Sequence, residues 1–258
     1  MDRKAYKLPF KKNRVTRWAC PSCTKGFLKV KADTFHAEET KKSTKAHDHE
    51  EWNPDWIEYV YSCLLECTNS ACKDTVANSG IGSVDFDIEY DDEGSPYQAW
   101  EDFFTPKHFA PHLKIFLCPK GTPDNVSEEI EKSFSLFFSD APSAANHVRI
   151  ALENLLTHLK IKRYEVKGKK RTFLALHRRI QLLPSKYNHL QDLFFAAKWL
   201  GNAGSHSDKV VTKDDVLDAY EIMEEILQDL FVKKTKQIKH LAKQINKTKG
   251  PKKSTKKP

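Results

Sequence analysis

No run of about eighteen consecutive apolar residues occurs in the 258-residue chain, so no transmembrane helix is expected. No apolar stretch follows the basic opening MDRKAYKLPFKKNR either, so no secretory signal is expected and the chain reads as cytoplasmic. Acidic side chains are absent from Phe231 onward, where eleven lysines stand instead. Without them, 32 basic residues face 35 acidic ones, so the body carries a net charge near −3 and the tail accounts for the total of +8. A tail of this kind cannot bury enough apolar surface to fold. Residues 233–258 are therefore expected to be disordered, with lysines such as Lys233 and Lys234 offered to nucleic acid or another anionic surface. What the chain does have is 39% hydrophobic and 11% aromatic residues, enough for a core.

Six cysteines are present, and a cytoplasmic chain should not rely on disulfides, so paired cysteines read as metal ligands. Cys20 and Cys23 form a C-x2-C pair, Cys67 and Cys72 a C-x4-C pair, each on a turn of small residues beside a strand. Four thiolates complete a tetrahedral Zn2+ site of the ribbon type, and a closed four-cysteine site is structural, with no position left for water. Cys63 lies on the apolar run 59–65 and competes as a ligand, but reads better as a buried thiol. His36, His47 and His49 could also supply a ligand, from a loop without knuckle geometry. Cys118 stands alone.

Residues 1–17 read as a basic lead-in with little fixed structure, and 18–94 as the cysteine-bearing β-domain. Within it, residues 36–51 lack periodicity and read as a loop, while Trp56–Leu65 reads as a strand. Along 81–90, Val84, Phe86 and Ile88 alternate with Asp85, Asp87 and Glu89, the pattern of a half-buried strand with a wet acidic face. Residues 95–121 hold Pro96, Pro106, Pro111 and Pro119, and read as an extended connector packing Phe103, Phe104, Phe109, Leu113, Ile115 and Phe116 between two domains.

From Thr122 the apolar spacing becomes helical, with Thr122 as N-cap and Pro123 at the first helical position. Five helices are expected over 122–232: one with Val126, Ile130 and Phe134 inward; one after Asp140 with Val148, Leu152 and Leu155 inward; one over roughly 172–183; one carrying Leu190, Leu193, Phe194, Ala197 and Leu200; and one opened by a Thr212/Asp215 capping box. Short links make an up-and-down bundle. Residues 162–171 form a basic loop whose Lys162, Arg163, Lys167, Lys169, Lys170 and Arg171 suit phosphate contacts. Gly201 and Gly204 are expected to stop or kink the fourth helix; if it continued through them, Lys198, Asn202 and His206 would share one face. A cation, an amide and an imidazole in a row could hold a phosphate and move a proton.

The CPSC knuckle, a second knuckle after a strand, the proline-rich connector, RIALENLL at 149–156 and GNAGSH at 201–206 occur in that order. Together they resemble the domain-of-unknown-function family DUF 4145, a branch of the HEPN clan, over roughly residues 18–232. The resemblance implies a helical bundle, often paired as a homodimer. Many HEPN relatives are metal-independent ribonucleases that use an Arg, a polar residue and a His after a short gap; others are inactive scaffolds or nucleotide-binding modules. Asn202 and His206 match the polar-x3-His portion. Gly201 stands where the Arg directly before it would be, and Lys198 stands where this branch commonly carries Arg. Arg149 and Glu153, four apart on one helix face, either pair with each other to lock the bundle, or Arg149 supplies the missing guanidinium beside Asn202.

The expected fold is thus α+β: a four-cysteine zinc-ribbon β-module, then a HEPN-like all-α bundle and a disordered Lys-rich tail. The expected function is a zinc-containing nucleic-acid-binding or adaptor protein contacting RNA or DNA, with a place in a defence system. Two functions compete with it. One is a metal-independent ribonuclease, in which His206 is the general acid/base, Lys198 or Arg149 steadies the phosphorane and Asn202 orients the phosphate. The second is a protein–protein regulatory module.

Overall fold

A computed structural model describes residues 2–206 and 210–232, together with 243 and 246; the side chains at 89, 167 and 203–206 lie outside the described set, as do Lys233, Lys234 and the expected disorder of the tail. The amino-terminal half is an antiparallel sheet. Its strands are β1 (Leu28–Val30), β2 (His36–Glu39), β3 (Glu58–Cys67), β4 (Thr75–Tyr90) and β5 (Pro96–Ala110), in the spatial order β1-β3-β4-β5. The short β1 and β2 share one side of β3: β1 pairs its far end (Leu28 with Cys67) and β2 its near end (His36 with Ser62). Burial along β3 has a period of two, with Tyr61, Cys63, Leu65 and Cys67 inward and Val60 and Leu64 in solvent.

The lead-in is ordered, contrary to expectation. Helix α1 (Arg3–Lys7) buries Ala5, and Phe10 exchanges backbone hydrogen bonds with Phe104 on β5 (2.9 and 2.8 Å). Phe10 thereby enters a cluster of rings with Trp18, Phe35, Tyr61 and Phe104, with neighbouring centroids such as Phe10–Trp18 at 5.3 Å and Phe35–Phe104 at 4.8 Å. Phe10 and Trp18 sit singly among basic residues, so no periodicity announced them, yet they cover the open side of the sheet.

Two further expectations change in this half. Residues 36–51 are not loop throughout: they supply β2 and helix α2 (Lys41–Ala46), whose N-cap Thr40 accepts a bond from the Ser43 amide. The proline-rich stretch is strand rather than connector over Pro96–Ala110. Pro106 is tolerated because it faces the irregular step after Ser79 and because, among the described residues, β5 is flanked on its outer side only by the short Phe10 bridge. Of the alternating residues on β4, Val84 is buried, but Phe86 and Ile88 are 51% and 59% exposed. The cause is length: β3 stops pairing at Ser83, so beyond it the β4–β5 ribbon extends with no third strand among the described residues, and Phe86 stacks on Trp100 instead (3.7 Å).

Helices α3 (Asp124–Leu136), α4 (Ala141–His158), α5 (Leu176–Gln181), α6 (Gln191–His206) and α7 (Lys213–Phe231) make the second half, with α4 packed on α3, α6 and α7. Thr122 does not cap α3, bonding the Pro119 carbonyl instead, whereas Asp140 caps α4 and the Thr212/Asp215 capping box forms. The buried Tyr220 hydroxyl shares a 2.8 Å hydrogen bond with Ser133, which donates to the Ala144 carbonyl, tying α7 to α3 and α4. This half is not all-α. The basic 162–171 stretch is a hairpin of β6 (Tyr164–Lys167) and β7 (Lys170–Phe173) turning at Gly168 (φ +62°), which delays the third helix from 172 to Leu176.

The halves share one continuous core. Phe109 of β5 meets Phe138 at 4.7 Å, and Tyr6 meets Phe137 at 6.4 Å. Arg3 bonds Asp218 and Glu221 on α7, Lys7 bonds Asp214, and the Trp18 indole donates to the Ala5 carbonyl at 2.6 Å.

Candidate metal centre

Cys20, Cys23, Cys67 and Cys72 converge, with all four sulfurs within 4.8 Å of one another. Cys20 Sγ lies 3.9 Å from Cys72 Sγ, and Cys23 Sγ lies 3.6 Å from Cys67 Sγ. Four sulfurs each about 2.3 Å from a central ion would sit about 3.8 Å apart, so the spacing suits a tetrahedral thiolate site. The ligand pairs come from two tight turns. In the first, the Thr24 amide donates to the Cys20 carbonyl and the Cys20 amide to the Gly26 carbonyl, both 2.9 Å; in the second, the Cys72 and Lys73 amides both donate to the Asn69 carbonyl. Each turn ends on a residue in the left-handed region, Thr24 (φ 55°) and Lys73 (φ 54°). Gly26 is required by crowding: a Cβ there would lie 2.5 Å from Cys67 Sγ and 2.8 Å from the Asn69 amide nitrogen.

Amides aim at the sulfurs. Gly26 N–H points at Cys23 and Asn69 N–H at Cys67, both 3.4 Å, and Asn69 Nδ2 lies 3.6 Å from Cys23. The Gly26 and Lys25 amides pull the Cys23 thiol down to about 6, whereas burial pushes Cys67 up to about 12. Cys23 is thus the more acidic of the two, and an entering cation would have to displace the proton of Cys67. The competing ligands are elsewhere. Cys63 is buried beside Asn78, its thiol raised to about 11 by burial. His47 pairs with Glu39 at 2.9 Å and packs on Trp52, and His49 packs on Trp56.

At the α4–α6 crossing, the expected break at Gly201 and Gly204 does not occur, and α6 runs unbroken to His206. The reason lies on α4. A Cβ on Gly201 would meet Arg149 Cβ at 2.6 Å and the Ala145 carbonyl at 3.1 Å, so the glycine lets two helices approach rather than ending one. Lys198, Asn202 and His206 therefore occupy successive turns of one helix; the side chain of His206 lies outside the described residues. Arg149 holds Glu153 at 2.9 Å, with its Nε buried and unpartnered among the described residues. Lys198 is 6% exposed, with its ammonium 3.3 Å from the Trp199 ring centroid. Burial, then the nearby Arg149 charge, pushes its pKa down. The two helices thus touch here, which spacing alone left open, and bring the Arg149 charge close enough to act on Lys198.

Lys162, Arg163, Lys169, Lys170 and Arg171 are exposed on and beside the β6–β7 hairpin. A cation that sequence reasoning missed is Arg179 on α5: it is 1% exposed and donates to the Glu153 carbonyl, Thr157 Oγ1 and the Ile161 carbonyl, satisfying the carboxyl end of α4. Its place in the apolar pattern Leu176–Ile180 was the one available signal.

Comparison with known families gives two matches. Residues 131–248 match the model described as Domain of unknown function (DUF4145), which agrees with the resemblance carried by RIALENLL and GNAGSH. Residues 8–109 match Domain of unknown function (DUF8608), a span that takes in Phe10, all four cluster cysteines and nearly all of β5. No curated protein and no solved structure matches the chain.

Proposed function

We propose that this is a zinc-containing protein that binds nucleic acid, or bridges it to a partner, through its helical half, which is of the HEPN type. Zn2+ suits the four-cysteine cluster because thiolates select it and a closed tetrahedral shell is its usual structural site. Held there, the ion would clamp the turns at 20–24 and 67–73 and so fix β1 against the end of β3; it performs no chemistry.

The observation that carries the binding reading is the β6–β7 hairpin, whose cations Lys162, Arg163, Lys169, Lys170 and Arg171 all face solvent, with Lys167 at its turn. Such side chains neutralise phosphates and release counterions, so affinity should fall steeply with salt. Titrating the full chain with labelled RNA and DNA over a salt series tests this, beside a variant with Lys169, Lys170 and Arg171 changed to Glu. Affinity that ignores both salt and the charge reversal removes the reading.

A second reading, metal-independent cleavage of RNA by a homodimer, is favoured by one observation: α6 continues through Gly201 beside Arg149. On this reading His206 moves the proton, Asn202 orients the phosphate, and Lys198 and Arg149 oppose the growing charge. Incubation of RNA with wild type and His206→Ala decides it; equal cleavage by both, or none by either, removes His206.

A further inference from the structure

The β6–β7 register places Tyr164 opposite Phe173 and Val166 opposite Arg171, so these four residues share one face of the ribbon. Their rings and cations form a row. The Arg163 guanidinium lies 6.0 Å from the Phe173 centroid, Phe173 meets Tyr164 edge-on at 5.5 Å, and the Arg171 guanidinium sits 3.9 Å over Tyr164. The face is open: Tyr164 is 38%, Phe173 52% and Val166 70% exposed. Among the described residues, neither strand packs broadly on another element. A lone two-stranded hairpin gains little stability in water. Placing two aromatic rings and a valine on its outer face therefore calls for an occupant with a flat apolar surface, and the surrounding cations call for that occupant to be anionic.

We propose that this face is a stacking platform for an unpaired segment of nucleic acid, a conclusion that rests on the nucleic-acid reading of the protein. Bases of a single strand turn their faces outward and stack on aromatic side chains and guanidinium planes, while the backbone follows the cations. A duplex offers only base edges and phosphates. Edges are read by hydrogen-bonding side chains, and Phe173 and Val166 have none to give. Lys169 and Lys170 at the turn, and Lys162 and Arg163 at the base, bracket the rings and would hold the phosphates on either side.

The test titrates the full chain, over one salt series, with a fluorescent oligouridylate, an oligothymidylate of equal length, a duplex of that length and phosphatidylserine vesicles, comparing them at equal salt. Both single strands should bind about tenfold or more tighter than the duplex. Phe173→Ala and Tyr164→Ala should each weaken single-strand binding by about 5- to 100-fold while leaving the salt slope unchanged. Tyr164→Phe should retain affinity, and Arg171→Gln should make the salt slope shallower by nearly one. Circular dichroism identifies any variant that has lost its fold. Duplex preferred over single strands, alanine variants that bind as wild type, or binding confined to phosphatidylserine vesicles overturns the platform. If single and double strands bind alike, with steep salt dependence, the platform falls and the nucleic-acid reading stands; if no nucleic acid binds, both fall.

Discussion

Gly201 of α6 lies against Arg149 of α4 so closely that a methyl group on it would overlap Arg149 Cβ at 2.6 Å. The obstacle is the root of a side chain, which cannot swing aside. Gly201→Ala should therefore destabilise the protein by about 1–3 kcal/mol, although the same change in an open helix would stabilise it. Chemical denaturation of the two proteins measures the difference.

Purified protein should carry one zinc per chain by elemental analysis. Cys20→Ser and Cys67→Ser should each lose it, while Cys63→Ser and Cys118→Ser should keep it, since neither thiol belongs to the cluster. Affinity should rise with pH: Cys67, raised to about 12 in the metal-free cluster, must release its proton on binding. Each proton displaced makes affinity change by about tenfold per pH unit.

Lys198→Met should fold at least as stably as wild type at neutral pH, because it removes a buried cation that faces Arg149 rather than a carboxylate. The lysine's folded pKa lies below its unfolded value. The unfolded chain therefore binds more protons in the window between them, and wild-type stability rises with pH there. The advantage of the variant should shrink as pH climbs through that window, which paired urea titrations at several pH values would reveal. If the crossing cleaves RNA, the same variant should lose activity without losing stability.

Phe10→Ala should cost about 3–5 kcal/mol, since the ring is 2% exposed among four other aromatic residues. Arg3→Ala should cost less than about 1 kcal/mol, because its ion pairs with Asp218 and Glu221 are open to solvent. Thermal melts of the two variants should separate clearly; comparable losses would mean that charge rather than packing holds the amino-terminal segment.

The sequence made the four-cysteine cluster legible because C-x2-C and C-x4-C spacings encode turn geometry directly, and the long helices legible because their apolar faces repeat. It concealed what depends on distant partners. Phe10 and Trp18 carry no local pattern, and their burial requires β5 to be in place. The prolines at 96 and 106 argued against regular structure, yet an edge strand accepts them. Gly201 looked like a stop signal because its neighbour, Arg149, lies fifty-two positions upstream. In the hairpin, Gly168 and the pairing of Tyr164 with Phe173 were hidden beneath a run of charge.

The contacts of Arg3 and Lys7 with α7 span more than two hundred residues. During synthesis α1 leaves the ribosome well before α7, so Arg3 and Lys7 meet their partners only once α7 has emerged. The sheet can assemble in the meantime, with Phe10 already in its slot beside Phe104, while α1 waits. A bulky group placed just before α1 would then hinder the docking of α1 on α7 rather than the assembly of the sheet.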